Sequence, residues 1–219
     1  DKDLYFKVNR DLAIETAKYA QQSGVNQFIF MSSMIVYNSK ETQITIHTLT
    51  NPDNFYGLSK IQAEAGLLPL QSISFNICIL RPPMIYGHGS KGNFPKLIKF
   101  ALKTPILPNI VNKRSMLYIK NLNESIKTLI DNNMSGLYFP QNKEYSCTSE
   151  IILFFAKQYN RKIWVTKLLN PMIFFLTKVS STFNKMFSDS YYDFEMSSSI
   201  IDSSKVELET SLKDLVLNE

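Results

Sequence analysis

The chain has 219 residues, 44% of them apolar and 20% charged, a composition typical of a folded globular protein with one domain or two small ones. Its net charge of +5 comes from cations scattered among acids, and no basic run alternates with aromatic residues as in a nucleic-acid-binding module. Two cysteines and two histidines without metal-ligand spacing disfavour a zinc site and a disulfide-rich scaffold.

The first half of the chain predicts two helices and two buried strands. Apolar periodicity indicates a helix over residues 4–23, which Gly24 ends, and a strand over 27–31 follows it. A polar loop over 37–52 leads to a second helix that starts near Asn51-Pro52-Asp53. A second strand over 75–80 ends at Arg81-Pro82-Pro83, because proline lacks the amide donor that a strand ladder needs.

The second half predicts an alternation of helices and short strands. Ser149 is the expected N-cap of the helix that follows it, and residues 168–176 are the most apolar stretch. We expect this stretch to form a core or interface helix, with a peripheral membrane contact as the alternative; it is too short to span a bilayer. The expected elements are helices over 93–102, 121–130, 149–159 and around 212–216, and strands over 113–119, 136–139 and 162–167.

Tyr56 and Lys60 lie four residues apart on the second predicted helix and so share one face. A nearby ammonium favours the phenolate, so Lys60 is expected to lower the pKa of Tyr56 toward acid/base work near neutrality. The spacing also occurs in ordinary surface pairs. Ser33 comes directly after the strand over 27–31, at the carboxyl end, where ligands bind in open α/β sheets.

Several segments together resemble the extended short-chain dehydrogenase/reductase family, in particular its NAD-dependent epimerase/dehydratase members that modify sugar nucleotides. They occur in the order of the family and cover most of the chain. The matching segments are Asn9 with Gly24-Val25, residues 30–37, Tyr56-Gly-Leu-Ser-Lys60 with Ala63-Glu64, Arg81-Pro-Pro-Met-Ile-Tyr-Gly87, and Arg114.

The resemblance implies an α/β fold, a partial Rossmann-like doubly wound parallel sheet with a smaller C-terminal α+β substrate-binding part. Residues 1–88 would form the C-terminal half of a dinucleotide-binding domain that carries the catalytic residues. Residues 89–219 would form the substrate-binding part, with residues 114–132 returning to the Rossmann-like domain.

The resemblance also implies roles for individual residues. Ser33, Tyr56 and Lys60 would be catalytic, with Tyr56 as the acid/base and Ser33 bound to the same oxygen. The cofactor, NAD or NADP, would contact Asn9, Tyr56, Lys60 and Pro83. The substrate, a nucleotide-diphosphate sugar, would contact Asn93 and Arg114, whose guanidinium suits a diphosphate.

Departures from the family pattern narrow the reaction. The dehydratases of the family have an Asp-Glu pair where this chain has Met34 and Ile35, which cannot transfer protons. Many 4-epimerases have Asn where this chain has Met84, so epimerase and 4-keto reductase both remain open. Residues 184–197 resemble enzymes that modify UDP-sugars for bacterial surface polysaccharides, which predicts a UDP-sugar substrate.

No glycine-rich Gly-x-x-Gly-x-x-Gly turn follows a strand in this sequence. We therefore expect an N-terminally truncated chain that exposes a sheet edge beside the strand over 27–31, associates with itself, for example as a homodimer, and holds a nicotinamide cofactor poorly. The alternative function is a non-catalytic relative that keeps the family shape. The opening Asp1-Lys-Asp-Leu-Tyr lacks a signal-peptide pattern, so the expected location is the cytoplasm.

Overall fold

A computed structural model describes residues 2–90 and 92–217 and shows an α/β protein built on parallel strand pairs. The α-helices are α1 (Lys2–Tyr5), α2 (Leu12–Gln22), α3 (Phe55–Leu67), α4 (Asn93–Lys103), α5 (Ile119–Asp131), α6 (Thr148–Gln158), α7 (Asn170–Val179), α8 (Ser181–Phe187), α9 (Phe194–Ser197) and α10 (Leu208–Leu217). The strands are β1 (Gln27–Met31), β2 (Gln43–Ile44), β3 (Asn76–Leu80), β4 (Met84–Tyr86), β5 (Ile106–Pro108), β6 (Met116–Tyr118), β7 (Gly136–Tyr138), β8 (Trp164–Thr166) and β9 (Tyr191–Tyr192).

The central sheet has the strand order β1-β3-β7, and both pairings are parallel. Its middle strand, β3, is a continuous apolar run that helices cover on both faces, as is usual for parallel sheets. Gln27 of β1 pairs with Asn76 of β3, and Met31 pairs with Leu80, so the two strands end level with each other. Within the described residues, β1 is an edge strand of this sheet, as we expected.

Helices α2 and α3 pack together on one face of the sheet. The helix predicted over 4–23 is confirmed, but a π-helical segment, Phe6–Asp11, joins α1 to α2. Gly66 of α3 permits a close approach of α2, because a Cβ there would lie 2.3 Å from the Ile14 Cδ1 atom. The cluster beneath contains Ala17, Ala63, Leu67, Phe30, Phe75, Ile77 and Ile79.

Helix α5 covers the other face of the sheet. Its residues Leu122 and Leu129 pack with Cys78 and Leu80 of β3, and Leu117 of β6 joins the same cluster. This packing explains why β6 and α5 return to the sheet after the chain has left it at β4.

A second core lies in the C-terminal part, around the parallel pair β4 and β6. Helices α4, α6 and α10 surround this pair and contribute apolar side chains such as Phe94, Phe155, Leu212 and Leu215. The two remaining sheets are also parallel pairs, β2 with β9 and β5 with β8.

Three details differ from the sequence expectations. Helix α3 begins at Phe55, because Asn54, not the preceding Asn-Pro-Asp, caps it by accepting from the Gly57 amide at 2.9 Å. Ser149 is not an N-cap: α6 begins one residue earlier, and the Ser149 hydroxyl donates to the carbonyl of Ile110 at 3.0 Å. The short strands β2, β4, β5 and β9 and the helices α8 and α9 were not expected.

The apolar stretch over 168–176 does form a helix, α7, but only its Ile173 side chain is buried. Among the described residues, no helix combines the length and the apolar content required to cross a bilayer.

Candidate functional site

The site begins at the carboxyl end of β1, where the chain turns out of the sheet. Ser33 is the N-cap of a short 3-10 helix, Met34–Val36, and its Oγ atom accepts from the Ile35 amide at 3.3 Å. The Met34 amide donates to the Pro82 carbonyl at 2.9 Å. These bonds fix the turn of Ser33 against the end of β3.

Helix α3 reaches this turn at Gly57. A Cβ atom at this position would lie 2.4 Å from the Ile35 carbonyl oxygen and 2.7 Å from the Pro52 Cβ atom. Only glycine therefore lets the helix approach the turn so closely. The neighbouring residue, Tyr56, is brought to the same edge of the sheet as Ser33.

Tyr56 is half-buried, and its ring centroid lies 5.7 Å from that of Tyr5. Burial raises the pKa of the Tyr56 phenol, and the nearby Tyr5 raises it further. Our expectation that Lys60 lowers the pKa of Tyr56 below its ordinary value is therefore not met in this structure, because burial and Tyr5 both raise this pKa and no shift toward the phenolate offsets them.

Lys60 lies one turn further along α3, on the same side as Tyr56. Its Nζ atom donates to the Met31 carbonyl at 2.8 Å and lies 5.9 Å from the centroid of the Tyr56 ring. Burial lowers the pKa of Lys60, although Glu64 opposes this shift. The ammonium thus links α3 to Met31, the last residue of β1.

A cavity of about 700 Å³ opens beside Ser33 and Tyr56. Four of the predicted site residues line it, and they come from four separate segments of the chain: Ser33, Tyr56, Pro83 and Arg114. The rest of the lining includes Tyr5, Met34, Ile35, Tyr37, Asn38, Ser39, Ile44, Asp53, Asn54, Met84, Ser181, Asn184, Lys185, Asp189 and Ser190.

Two other predicted residues, Lys60 and Asn9, are not among the residues that line the cavity. Lys60 is bound to β1 as described, and the Asn9 amide group donates to the Ser59 hydroxyl at 3.1 Å. Ser59 in turn donates to the Tyr56 carbonyl at 2.7 Å, so Asn9 supports the turn of α3 that carries the phenol. Asn93 is the first residue of α4, and its side chain lies outside the described part of the structure.

Arg114 lines the same cavity. Its backbone bridges Ser146 and Ser190, and its Nη1 atom donates to the Ser188 carbonyl at 3.0 Å. Burial lowers the pKa of Arg114 to about 10, with Asp189 acting in the other direction. Because this value is far above neutrality, the guanidinium remains a cation that can bind an anion.

The two carboxylates that line the cavity, Asp53 and Asp189, accept hydrogen bonds from other residues of the chain. Asp53 accepts from Ser39 and from Asn54, and Asp189 accepts from the backbone amide of Lys113 at 2.7 Å. These bonds hold the loops that frame the cavity.

Arg81 and Glu64 form a buried ion pair next to Ser32, the residue before Ser33. We did not predict a role for this pair from the sequence. Arg81 donates to both carboxylate oxygens of Glu64, at 3.0 and 2.5 Å, and to the Tyr37 hydroxyl at 2.9 Å. Glu64 also accepts a short hydrogen bond from Ser32. Burial alone would lower the pKa of Arg81, but its hydrogen bonds and its attraction to Glu64 raise the pKa overall. The sequence did contain one signal for a role of Glu64 near the site: it lies eight residues, about two helical turns, after Tyr56 on the same helix.

No group of three or more His, Cys, Asp or Glu side chains comes together as a metal site within residues 2–90 and 92–217.

Comparison with known proteins gives a family match and several relatives. The model of the NAD dependent epimerase/dehydratase family matches residues 1–139. A UDP-glucose 4-epimerase from Vibrio cholerae is 34% identical over 171 residues, which cover 74% of this chain and 52% of the relative. An N-acetyl-alpha-D-glucosaminyl-diphospho-ditrans,octacis-undecaprenol 4-epimerase from Escherichia coli O157:H7 is 28% identical over 176 residues, covering 77% and 53%. The chain thus spans about half the length of these relatives.

Solved structures show the same fold at low identity. A UDP-glucuronic acid 4-epimerase from Bacillus cereus in complex with NAD has a TM-score of 0.76 at 19% identity, over 99% of this chain and 66% of that one. A UDP-N-acetylglucosamine 4-epimerase from Bacillus cereus has a TM-score of 0.71 at 19% identity, over 94% and 69%.

Proposed function

This chain belongs to the NAD-dependent epimerase/dehydratase family, and from that premise we propose that it carries the catalytic and substrate-binding residues of a 4-epimerase that acts on a UDP-sugar. The observation that supports this most directly is the shared cavity: Ser33, Tyr56 and Arg114, distant in sequence, line one space. The names of the Vibrio cholerae and Bacillus cereus relatives support the choice of an epimerase and a UDP-sugar.

In the proposed reaction, Tyr56 exchanges a proton with the sugar hydroxyl at which configuration changes. Because burial raises its pKa, the phenol is protonated at neutral pH and must lose its proton before it can act as a base. Ser33 holds the same sugar oxygen by a hydrogen bond. A negative charge that develops on this oxygen would be stabilised by the Ser33 hydroxyl and by the cation of Lys60.

A nicotinamide cofactor suits the wall of the cavity formed by Tyr56, Pro83 and Met84, since a phenol and two apolar side chains at the end of a parallel sheet can accept a flat ring. We assign Tyr56, Lys60, Pro83 and, indirectly through Ser59, Asn9 to holding this end of NAD or NADP. Such a cofactor would supply the hydride-transfer chemistry that these side chains cannot perform.

Arg114 is proposed to bind the diphosphate of the substrate. It is a half-buried cation in the lining of the cavity that also contains the phenol, and a guanidinium can bind two phosphate oxygens at once. In this proposal the diphosphate lies at Arg114 and the sugar at Tyr56.

Calorimetric titration with UDP tests this assignment without any need for turnover. We expect Arg114→Gln to weaken UDP binding by about 1.5–3 kcal/mol, the usual contribution of a charged hydrogen bond. Arg161→Gln, which removes an exposed arginine outside the cavity, should leave the affinity unchanged. Equal affinities of wild type and Arg114→Gln would refute the role of Arg114.

Turnover assays separate the epimerase from its alternatives. The chain, alone and joined to whatever sequence its gene encodes ahead of Asp1, is incubated with UDP-glucose and NAD, and UDP-galactose is measured. Formation of the epimer supports the proposal. Consumption of NADPH with a 4-keto-UDP-sugar would favour a reductase. UDP binding without either reaction would favour the non-catalytic relative.

A further inference from the structure

We propose that α7 and the residues around it form a docking surface for an anionic membrane. The inner side of α7 is accounted for: Ile173 is buried with Ile110 and Phe187, and Leu176 packs against the same cluster. Its outer side is a stripe of apolar side chains at helical spacing that faces solvent. The stripe comprises Met172, Phe175 and Val179 of α7, which are 51%, 65% and 66% exposed, and Leu168 in the turn just before the helix, which is 83% exposed.

Two more aromatic side chains of this part of the chain are exposed. Phe174 lies beside the stripe on α7, and Trp164 belongs to β8, shortly before α7 in the chain. A run of large exposed apolar side chains on one helix is unusual on a monomeric protein and marks an interaction site. Tryptophan and phenylalanine are side chains that insert into the boundary between lipid headgroups and acyl chains.

The charge of the same segment identifies the partner. Between Ile151 and Ser188 the sequence contains no Asp or Glu, whereas it contains six cations. All six are exposed: Lys157, Arg161, Lys162, Lys167, Lys178 and Lys185. Glu209 attracts one of them, Lys157, and Lys185 lines the cavity. The cations nearest the stripe in the chain are Lys167 and Lys178. An exposed apolar stripe with a cation near each end is the pattern of a helix that lies on an anionic bilayer, where the cations contact headgroups and the apolar side chains enter the interface.

The same charges argue against a second copy of this chain as the partner. A twofold contact through α7 would bring Lys167 and Lys178 of both copies toward one another, and like charges across an interface destabilise it. Anionic lipid avoids this repulsion.

Docking through α7 would hold the catalytic cavity near the membrane surface. Helix α8 follows α7 after a single residue and packs against it, and its residues Ser181, Asn184 and Lys185 line the cavity. The surface is therefore separated from the site by one helix. The proposal itself depends on exposure and charge, and it holds or fails independently of the reaction at the site.

Cosedimentation of the full chain with lipid vesicles tests the docking surface. We expect the wild-type chain to pellet with vesicles of phosphatidylcholine and phosphatidylglycerol, to remain in solution with phosphatidylcholine alone, and to be released by high salt. Phe175→Ser should weaken partitioning about tenfold or more. Leu49→Ser, which removes a still more exposed apolar side chain from the loop between β2 and α3, should have no effect.

A second variant tests the charges and does not depend on the packing of α7. The pair Lys167→Gln and Lys178→Gln should weaken partitioning about thirty-fold, at about fivefold for each cation near the surface. The pair Lys18→Gln and Lys40→Gln, with the same change in net charge, is its control.

Three results would overturn the proposal: no pelleting of the wild type with anionic vesicles, equal losses for both lysine pairs, or a solution dimer that Phe175→Ser dissociates. The last result would assign the surface to a second copy.

Discussion

At the scale of single residues, the site depends on the partial burial of Tyr56 and Lys60, which shifts the pKa of each side chain away from its value on an exposed helix. The sequence placed the two side chains on one face of a helix, and this is confirmed. It did not reveal that both would be partly buried, so the direction of the pKa shift of Tyr56 was wrong. Spacing gives proximity, but a pKa also depends on desolvation, which only the fold determines.

The first prediction concerns Lys60 and pH. In the proposed mechanism the rate depends on the phenolate of Tyr56, whose pKa lies above its ordinary value, so kcat/KM should rise with pH above neutrality. In Lys60→Met the cation that favours the phenolate is lost, and the rising limb should move to higher pH. The measurement is the pH profile of kcat/KM.

Lys18→Met, which removes an exposed lysine from α2, is the matched control and should leave the profile in place. A Lys60→Met profile that coincides with that of the wild type would show that Lys60 does not act on the phenol.

At the scale of elements, the site depends on the contact between α3 and the turn after β1. Sequence periodicity predicted both elements, with the bounds of β1 correct to the residue. The closeness of the contact at Gly57 and the ion pair beneath it could not be predicted from the sequence. Both depend on which side chains of separate elements meet, and periodicity within an element does not contain this information.

The second prediction concerns Gly57. In Gly57→Ala the new methyl group would overlap the Ile35 carbonyl and Pro52, which are backbone and ring atoms that cannot easily move. We expect a loss of about 1–3 kcal/mol of unfolding free energy from overpacking, despite the better helix propensity of alanine. The measurement is urea denaturation, together with turnover, which should also fall.

The matched control is Gly66→Ala on the same helix. There the new methyl group meets only the side chain of Ile14, which can shift. A larger destabilisation by Gly66→Ala than by Gly57→Ala would contradict the importance of the contact with the turn.

The third prediction concerns the buried ion pair. Glu64→Gln would leave the Arg81 guanidinium buried without its counter-charge, so the unfolding free energy should fall by about 3–5 kcal/mol. Glu209→Gln removes an exposed carboxylate paired with Lys213 and should change stability far less, because solvent screens a surface ion pair. Comparable unfolding curves for the two variants would show that the pair beneath Ser33 does not support the fold.

At the scale of the whole molecule, the sequence predicted the fold class and the parallel arrangement of the main strands correctly. Its motifs identified the family, and its apolar runs located the strands of the central sheet. The pairing of β2 with β9 was not foreseen, because two-residue strands so far apart in sequence carry no local signal. The division into residues 1–88 and 89–219 remains a prediction.

The proposed function depends on one arrangement, in which the Tyr56 phenol, the Ser33 hydroxyl and the Arg114 guanidinium, from distant segments of the chain, contact the same substrate. The measurement that tests it most directly compares turnover and UDP affinity in Tyr56→Phe, with Tyr19→Phe, an exposed tyrosine on α2, as control. In the form of the protein that epimerises UDP-sugars, we expect Tyr56→Phe to lower kcat by about 10²–10⁴-fold with UDP affinity unchanged. Wild-type turnover in Tyr56→Phe would contradict the central claim.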